Sequence, residues 1–528
     1  MSAALLTGFF VLLAGFYIAT FYGCKRQQLP LPPGPRRKPI IGNISDLPNS
    51  TEKDWEFWLK HKKLYGPISS LNVMGQTIII VNDARLAVEL MEKRSAIHIS
   101  RPHQTFAEMA GWKDKVLGAV TDMVQFRQTR RNLHREIGSN KSVARFNDIQ
   151  TAEVARFLMR VLDAPDKLVQ HIRKEAGAII LKIGYGYTIE PHGRDPLVDL
   201  ADVAMETFGV AMLPATWAVD FFPILRYVPA WFPGAGFKKI AQSYRKTVAA
   251  FSDIPYGFVQ QQMRDGCFVP SFLSNLLQAG APEPGSKDEN TIKWSAGSLY
   301  AGGADTTVSS ISSFFLAMAL FPEVQRKAQE ELDAVIGTNR LPQYEHREQL
   351  PYTHALVKEV LRWHPVVPMS LAHTPIKDDI IEGYSIPKGA TVLANIWEFT
   401  HNSDVYADPM TFNPDRFLAS EGHLPERDPH LLVFGFGRRV CPGRNLADVN
   451  VFLTVAQSLA VFDISKPIEG GKIKDITAEF LPGVISHPAP FNVSIRPRSP
   501  AHLELIRALE QKYPWEKSNA EDLGSVQY

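Results

Sequence analysis

The stretch Phe434-Gly435-Phe436-Gly437-Arg438-Arg439-Val440-Cys441-Pro442-Gly443 decides how the rest of this 528-residue chain is read. It encloses one cysteine between glycines, with aromatic residues and arginines just upstream. As a thiolate, Cys441 is a soft, electron-rich metal ligand. Such a ligand rides on a loop that presses close to what it binds. Gly437 and Gly443 supply that closeness, because a residue without Cβ tolerates positive φ and near approach. Backbone N–H groups of the loop can hydrogen-bond the sulfur, and Arg439 has the fork geometry to pair with a carboxylate. The competing reading is a buried structural cysteine in a Gly-rich turn. Against it, the spacing F-x-x-G-x-R-x-C-x-G fixes five positions, so a chance match in this chain is on the order of one in several thousand.

Other stretches add to this one. Trp294 to Leu320 lacks proline and predicts one long helix, about 40 Å at 1.5 Å per residue. In its middle stands Ala301-Gly302-Gly303-Ala304-Asp305-Thr306-Thr307. Two mid-helix glycines cost roughly 2 kcal/mol against alanine, so something needs the space. Close passage over a flat group would explain them; so would a helix crossing with a back-bonded Thr306. Thr306 lies one turn after Gly302, on the same face. Lys358-Glu359-Val360-Leu361-Arg362 reads as a helix ending before Pro365, with Glu359 and Arg362 sharing a face. Phe412-Asn413-Pro414-Asp415-Arg416-Phe417 follows it. Phe126 to Arg135 places arginines at helical spacing, which is either a binding face or a solvated one.

In this order, Gly302 to Thr306, Glu359 to Arg362, Phe412 to Phe417 and Phe434 to Gly443 resemble the landmarks of the cytochrome P-450 family. The resemblance covers essentially the whole chain. It implies a mainly α fold with small β-sheets (α+β), holding one haem b through Cys441 as the metal ligand. By the same resemblance Arg130, His373 and Arg439 contact the haem propionates. Asp305 and Thr306 become the catalytic pair that delivers protons to bound O2. Glu359, Arg362 and Arg416 become an internal charge triad behind the haem loop. The family usually has Trp where this chain has Phe126, so an indole N–H donor is missing. Electrons are expected from NADPH through a separate NADPH-cytochrome reductase, since no flavin- or nicotinamide-binding region is visible. The texture is similar to membrane-bound basidiomycete members that hydroxylate tryptamine, in segments such as Gln170 to Arg173 and Tyr227 to Gly234, which read as scaffold.

The implied reaction inserts one oxygen atom from O2 into a hydrophobic small molecule, a fungal secondary metabolite such as a terpenoid. The pocket linings expected from the family (Phe106 to Val120, Met205 to Leu213, Val366 to Leu371, Leu481 to Ile485) are largely apolar. An aromatic or indole amine is the alternative, with Glu108, Asp114 and Glu206 as candidate partners. A non-oxygenating isomerase or dehydratase is a further one.

Composition agrees with a folded globular chain, at 45% hydrophobic and 21% charged residues. A formal net charge of +2 argues against a nucleic-acid partner. Cys24, Cys267 and Cys441 are too few for a disulfide framework. Residues 2–24 carry no charge and are long enough to span a bilayer. Lys25, Arg26 and Arg36 to Lys38 follow them, and neither a basic n-region nor a cleavage site precedes. The expected division is a transmembrane anchor over 1–24, a basic, Pro-rich hinge over 25–50, the haem-binding domain over 51–500 and a C-terminal tail over 501–528. That predicts a single-pass endoplasmic reticulum protein with its catalytic domain in the cytosol. The Pro-rich apolar segment from Phe221 to Gly234 is expected to meet membrane lipid.

Overall fold

The computed structural model describes residues 29–525 except Ser50 and Ala215. The expected anchor over 1–24 lies outside the described residues. Among those described, no single helix is long and apolar enough to cross a membrane.

Helix α1 (Asp54–Tyr65) leads into strands β1 (Ile68–Val73) and β2 (Gln76–Val81). They pair antiparallel around Met74 and Gly75, both at positive φ, as a two-residue hairpin turn requires. Ile79, Ile80 and Val81 are completely buried, a continuous apolar run that suits an inner strand. The partner on its other edge arrives more than 300 residues later.

Helix α2 (Met123–Ile137) starts at Asp122, whose carboxylate accepts the Val124 and Gln125 N–H groups. It buries Phe126, Leu133 and Ile137 and leaves Arg127, Arg131 and Arg135 exposed. Helices α3 (Asn147–Asp163) and α4 (Leu168–Tyr185) follow; α4 ends on Gly186 in the left-handed region. Helix α5 (Pro196–Met212) is capped by Asp195 with proline in its first turn, and α6 (Gly236–Arg264) lies across it. Between them, residues 222–232 expose Phe222, Ile224, Tyr227, Trp231 and Phe232.

The long helix predicted from Trp294 to Leu320 is two helices, α7 (Lys287–Ala304) and α8 (Thr306–Leu320), broken at Asp305 with φ −126° and ψ −40°. The cause is local: the Thr306 hydroxyl donates to the Gly302 carbonyl at 2.6 Å, competing for the backbone acceptor of that turn. Helix α4 packs against both α3 and α7, and this layer is the centre of the main core. Helices α9 (Pro322–Val335) and α10 (Pro351–Trp363) close one side.

A short hairpin, β3 (Asp379–Ile381) with β4 (Tyr384–Ile386), precedes β5 (Thr391–Ala394), which pairs parallel with β2. Helix α11 (Arg444–Val461) runs through the core beside α3, and β6 (Phe462–Ser465) pairs with β7 (Ser494–Pro497). Helix α12 (Pro500–Lys512) packs on α3, and beyond it Glu516 receives hydrogen bonds from Arg156 and Lys182 at 2.8 and 2.6 Å.

Candidate active site

The cysteine loop is closed by its own backbone: the Cys441 N–H donates to the Phe434 carbonyl at 2.8 Å. Gly435 and Gly437 turn it at φ 76° and 54°. A Cβ on Gly437 would lie 2.5 Å from the Met91 carbonyl oxygen and 2.9 Å from the Glu92 Cα. The closeness expected of Gly437 toward a bound group is therefore spent on the backbone of the turn Glu89–Lys93. A Cβ on Gly443 would stand 3.9 Å from the Cys441 sulfur, an ordinary van der Waals distance, and its φ is −88°, so no contact within the chain requires glycine there. Burial pushes the Cys441 thiol up; N–H groups of Gly443 and Arg444 and the Arg130 guanidinium pull the other way. Only a cation at the sulfur would outweigh that burial, because a coordinating thiol is deprotonated outright.

Three guanidinium groups and one imidazole gather at the cavity in front of this sulfur; burial holds the imidazole, His373, well below the ordinary histidine range, so it is neutral. Arg439 donates through Nε to the Ile99 carbonyl (2.8 Å), through Nη1 to Leu117 (3.1 Å) and through Nη2 to Val120 (2.8 Å). Its guanidinium lies 3.8 Å from the centroid of the Phe126 ring, so that residue supplies a cation–π platform. Arg130 donates to the Val440 carbonyl. His373 is buried, with Nδ1 on the His98 carbonyl at 2.7 Å. Arg101, which no sequence motif marks, is the fourth; it donates to the Leu371 and Ala372 carbonyls at 2.8 Å each, and its Nε has no partner. Burial, then the charges of Arg101 and Arg130, push Arg439 down to about 8. Burial alone pushes Arg101 down to about 10. Among the described residues, none of the four forms an ion pair with a carboxylate. A buried cluster of uncompensated positive charge is the complement of a dianion.

The opposite wall is the α7–α8 break. A Cβ on Gly302 would meet nothing within 4 Å, whereas one on Gly303 would lie 2.6 Å from the Ile180 Cδ1. The two glycines thus divide the two explanations offered for them: Gly302 opens the cavity and Gly303 lets α4 approach. Thr306 lines the cavity; Asp305 does not, and holds His487 instead, Oδ1 to Nε2 at 3.1 Å. The apolar lining includes Val116, Leu117, Met205, Phe208, Val366, Leu371 and Ile485, all from the expected stretches. Phe106 is not part of it and stacks on Trp217 at 3.6 Å. Ile179, Ile180 and Leu299 are, and the sequence analysis had not singled them out.

The cytochrome P450 family model matches residues 32–495. The chain belongs to the cytochrome P450 family. It is 51% identical over 498 residues to cytochrome P450 monooxygenase ppsD of Aspergillus oryzae, covering 94% of each chain. It is 49% identical over 499 residues to O-methylsterigmatocystin oxidoreductase of Aspergillus flavus, again covering 94% of each. With cytochrome P450 monooxygenase claR of Ampulloclitocybe clavipes it shares 46% over 510 residues, 96% of this chain and 93% of that one.

As a cytochrome P450 monooxygenase the chain is an oxidoreductase whose cofactor is haem b, reduced by a separate redox partner, typically with NADPH as the source of electrons. The residues present fit that group: a soft ligand in a loop with free amides, a buried cationic cluster for two propionates, and a wall thinned at Gly302. Behind the loop, Glu359 and Arg362 are completely buried, and Arg362 donates to Glu359 at 2.7 and 2.8 Å. Arg416 joins at 3.2 Å and is itself paired with Glu426 at 2.7 Å. A second network, unforeseen from sequence, flanks Phe434: His430 stacks on its ring, bonds Asp428 at 2.8 Å and reaches Asp448 at 3.0 Å. Arg347 completes it on Asp448 at 2.9 Å.

Proposed function

We propose that this cytochrome P450 inserts one oxygen atom from O2 into a neutral, hydrophobic secondary metabolite, with Cys441 as the iron ligand. Haem b supplies the oxygen-activating chemistry when bound. Arg101, Arg130, Arg439 and His373 hold its propionates, and the Phe126 ring keeps the Arg439 fork in place where the family's indole is missing. Thr306 offers its oxygen at the cavity wall while its own proton rests on the Gly302 carbonyl, so the proton to be delivered comes from Asp305.

The observation that carries the substrate class is the lining. Its one carboxylate is Asp448, which is taken by Arg347 and His430. The acids that would hold an amine are elsewhere. Glu108 is surrounded by His103, Lys113 and Arg226, Asp114 accepts the Thr121 N–H and hydroxyl, and Glu206 is exposed. An ammonium group entering this cavity would lose its hydration without gaining a counter-charge, which costs several kcal/mol. A neutral terpenoid or other apolar metabolite has no such cost. The intact Asp305-Thr306 pair and the monooxygenase names of the relatives support oxygen insertion over isomerisation.

The exposed side chains of Ile224, Tyr227 and Trp231, each more than 70% accessible, support contact with membrane lipid, in line with a microsomal, single-pass enzyme anchored by residues 1–24. Arg127, Arg131, Arg135, Arg438 and Arg444 form an exposed basic face on the thiolate side, suited to an acidic reductase.

Oxygen transfer from isotopically labelled O2 tests the reading. Microsomes carrying the chain, a reductase and NADPH receive a pool of neutral terpenoids and indole amines, beside Cys441→Ala. One labelled oxygen in a neutral compound, absent from the mutant, is the expected result. Label in the amines alone would overturn the substrate class.

A further inference from the structure

Asp305 stands at the junction of α7 and α8, and its carboxylate makes no capping bond to the α8 backbone. It faces His487 across the chain, Oδ1 to Nε2 at 3.1 Å, within ion-pair distance, with the two side chains 14% and 26% exposed. His487 sits on a built loop. The Ser309 hydroxyl of α8 donates to the Ser486 carbonyl at 2.6 Å, and the Ser486 N–H donates to the Val366 carbonyl at 2.9 Å. The Leu481 N–H closes the loop on the His487 carbonyl at 2.8 Å. Ile485 of the same loop lines the cavity, so the loop holds the substrate wall and the acid's partner together.

This arrangement leaves Asp305 shut off from the cavity lining on one side and joined to an imidazole on the other. We propose that His487 is the residue that positions Asp305 and restores its proton. The proposal rests on the reading of Asp305 as the proton donor beside Thr306. In each transfer the N–H bond at His487 Nε2 breaks as an O–H bond forms at Asp305 Oδ1. The imidazolium becomes neutral imidazole, and a proton from water rebuilds the N–H bond; no electrons move. Imidazole is the side chain suited to this, because its charge changes near neutral pH.

The other charged groups facing the pair are few. Asp202 of α5, pushed up to about 6 by burial and held by Arg173 of α4 at 3.1 Å, feels both Asp305 and His487. His364, at the end of α10, is held well below the ordinary histidine range by burial. Neither makes a hydrogen bond or ion pair with the two, so the 3.1 Å approach of His487 Nε2 to Asp305 Oδ1 is the direct route.

The test uses the haem-loaded full chain with H487Q, H487K and D305N. With a compound that takes up labelled oxygen, H487Q should lower product per NADPH about tenfold and release peroxide instead. Its carbon monoxide difference spectrum should match wild type. Wild-type coupling should fall as pH rises through the neutral range, and that fall should vanish in H487Q and move to higher pH in H487K. A coupling profile unchanged in H487Q overturns the proposal. Should H487Q load too little haem, H487K and the wild-type pH profile decide, and coupling independent of pH in both overturns it. Full coupling in D305N refutes the reading of Asp305 itself, whereas uncoupled D305N beside unaltered H487Q removes His487 alone.

Discussion

Glu359→Ala is the sharpest perturbation of the scaffold behind the haem loop. In the wild type, Glu359 Oε1 accepts from Arg362 Nη2, from the Asn413 N–H at 2.7 Å and from Arg416 Nε, while Oε2 accepts from Arg362 Nε. Removing the side chain strands Arg362, which keeps the Thr400, Pro409 and Thr411 carbonyls but no counter-charge. Arg416 suffers less, because Glu426 remains. The structure therefore predicts one stranded guanidinium rather than two, a loss of about 3–5 kcal/mol. Against a typical domain stability of about 5–15 kcal/mol, that leaves a large unfolded fraction. Glu359→Gln separates charge from shape: its oxygen can keep the three bonds at Oε1, but its NH2 would face Arg362 Nε, donor against donor. Soret absorbance and carbon monoxide difference spectra per mole of purified chain report the outcome. Little holoprotein is expected from Glu359→Ala, and not much more from Glu359→Gln. Normal haem content in Glu359→Ala would refute the reasoning.

Three further outcomes follow from geometry. Gly437→Ala should lose most holoprotein, since its Cβ meets the Met91 backbone at 2.5 Å, whereas Gly435→Ala, whose nearest atom is 3.9 Å away, should cost only the positive-φ strain of about 1–2 kcal/mol; equal haem content in the two would contradict this. Gly303→Ala should cost stability, by about 1–3 kcal/mol, and change the product distribution, because its Cβ would lie 2.6 Å from Cγ1 and 3.1 Å from Cβ of Ile180, a stiff, buried side chain in the cavity lining; an unaltered melting temperature and product profile would count against that. Burial opposes charge on His430, but hydrogen bonds and charge from Asp428 and Asp448 outweigh it and raise it to about 9. A raised folded value means the stabilisation is complete below about pH 6.5 and lost as pH rises through about 9, and it is worth about 3 kcal/mol. The melting temperatures of wild type and His430→Ala should accordingly differ at pH 7 and converge above pH 9, and parallel curves would exclude it.

What could be read from the sequence was what depends on short spacings. The loop around Cys441 and the i,i+3 pair Glu359 and Arg362 are local patterns, whereas the cavity residues Val116, Leu117, Met205, Phe208, Val366 and Leu371 were expected from the family resemblance. The rest depends on partners far apart in the chain. Arg101 stands in a segment without period, and only its contacts with Leu371 and Ala372 bring it to the cavity. Asp448 meets Arg347 across 101 residues, and β2 finds β5 across more than 300. The break at Asp305 was hidden for a different reason: a proline-free, apolar stretch reads as continuous helix, and the bond that interrupts it belongs to one hydroxyl.

The distribution of charge in the core links folding to the cofactor. Behind the loop, buried cations are matched by acids: Arg362 and Arg416 by Glu359 and Glu426, Arg347 and His430 by Asp448 and Asp428. In front of the sulfur the same fold holds the cations Arg101, Arg130 and Arg439, beside the neutral His373, with carbonyl partners only. Carbonyl dipoles orient a guanidinium but do not cancel its charge, and burial drives Arg439 and Arg101 down as a result. The scaffold thus carries its own counter-ions where it must be rigid and lacks them where haem b binds. A dianionic group entering there relieves the repulsion of several cations at once, so cofactor loading and stability rise together. That is why substitutions as far from the sulfur as Glu359 are expected to be read out as lost haem rather than as altered chemistry.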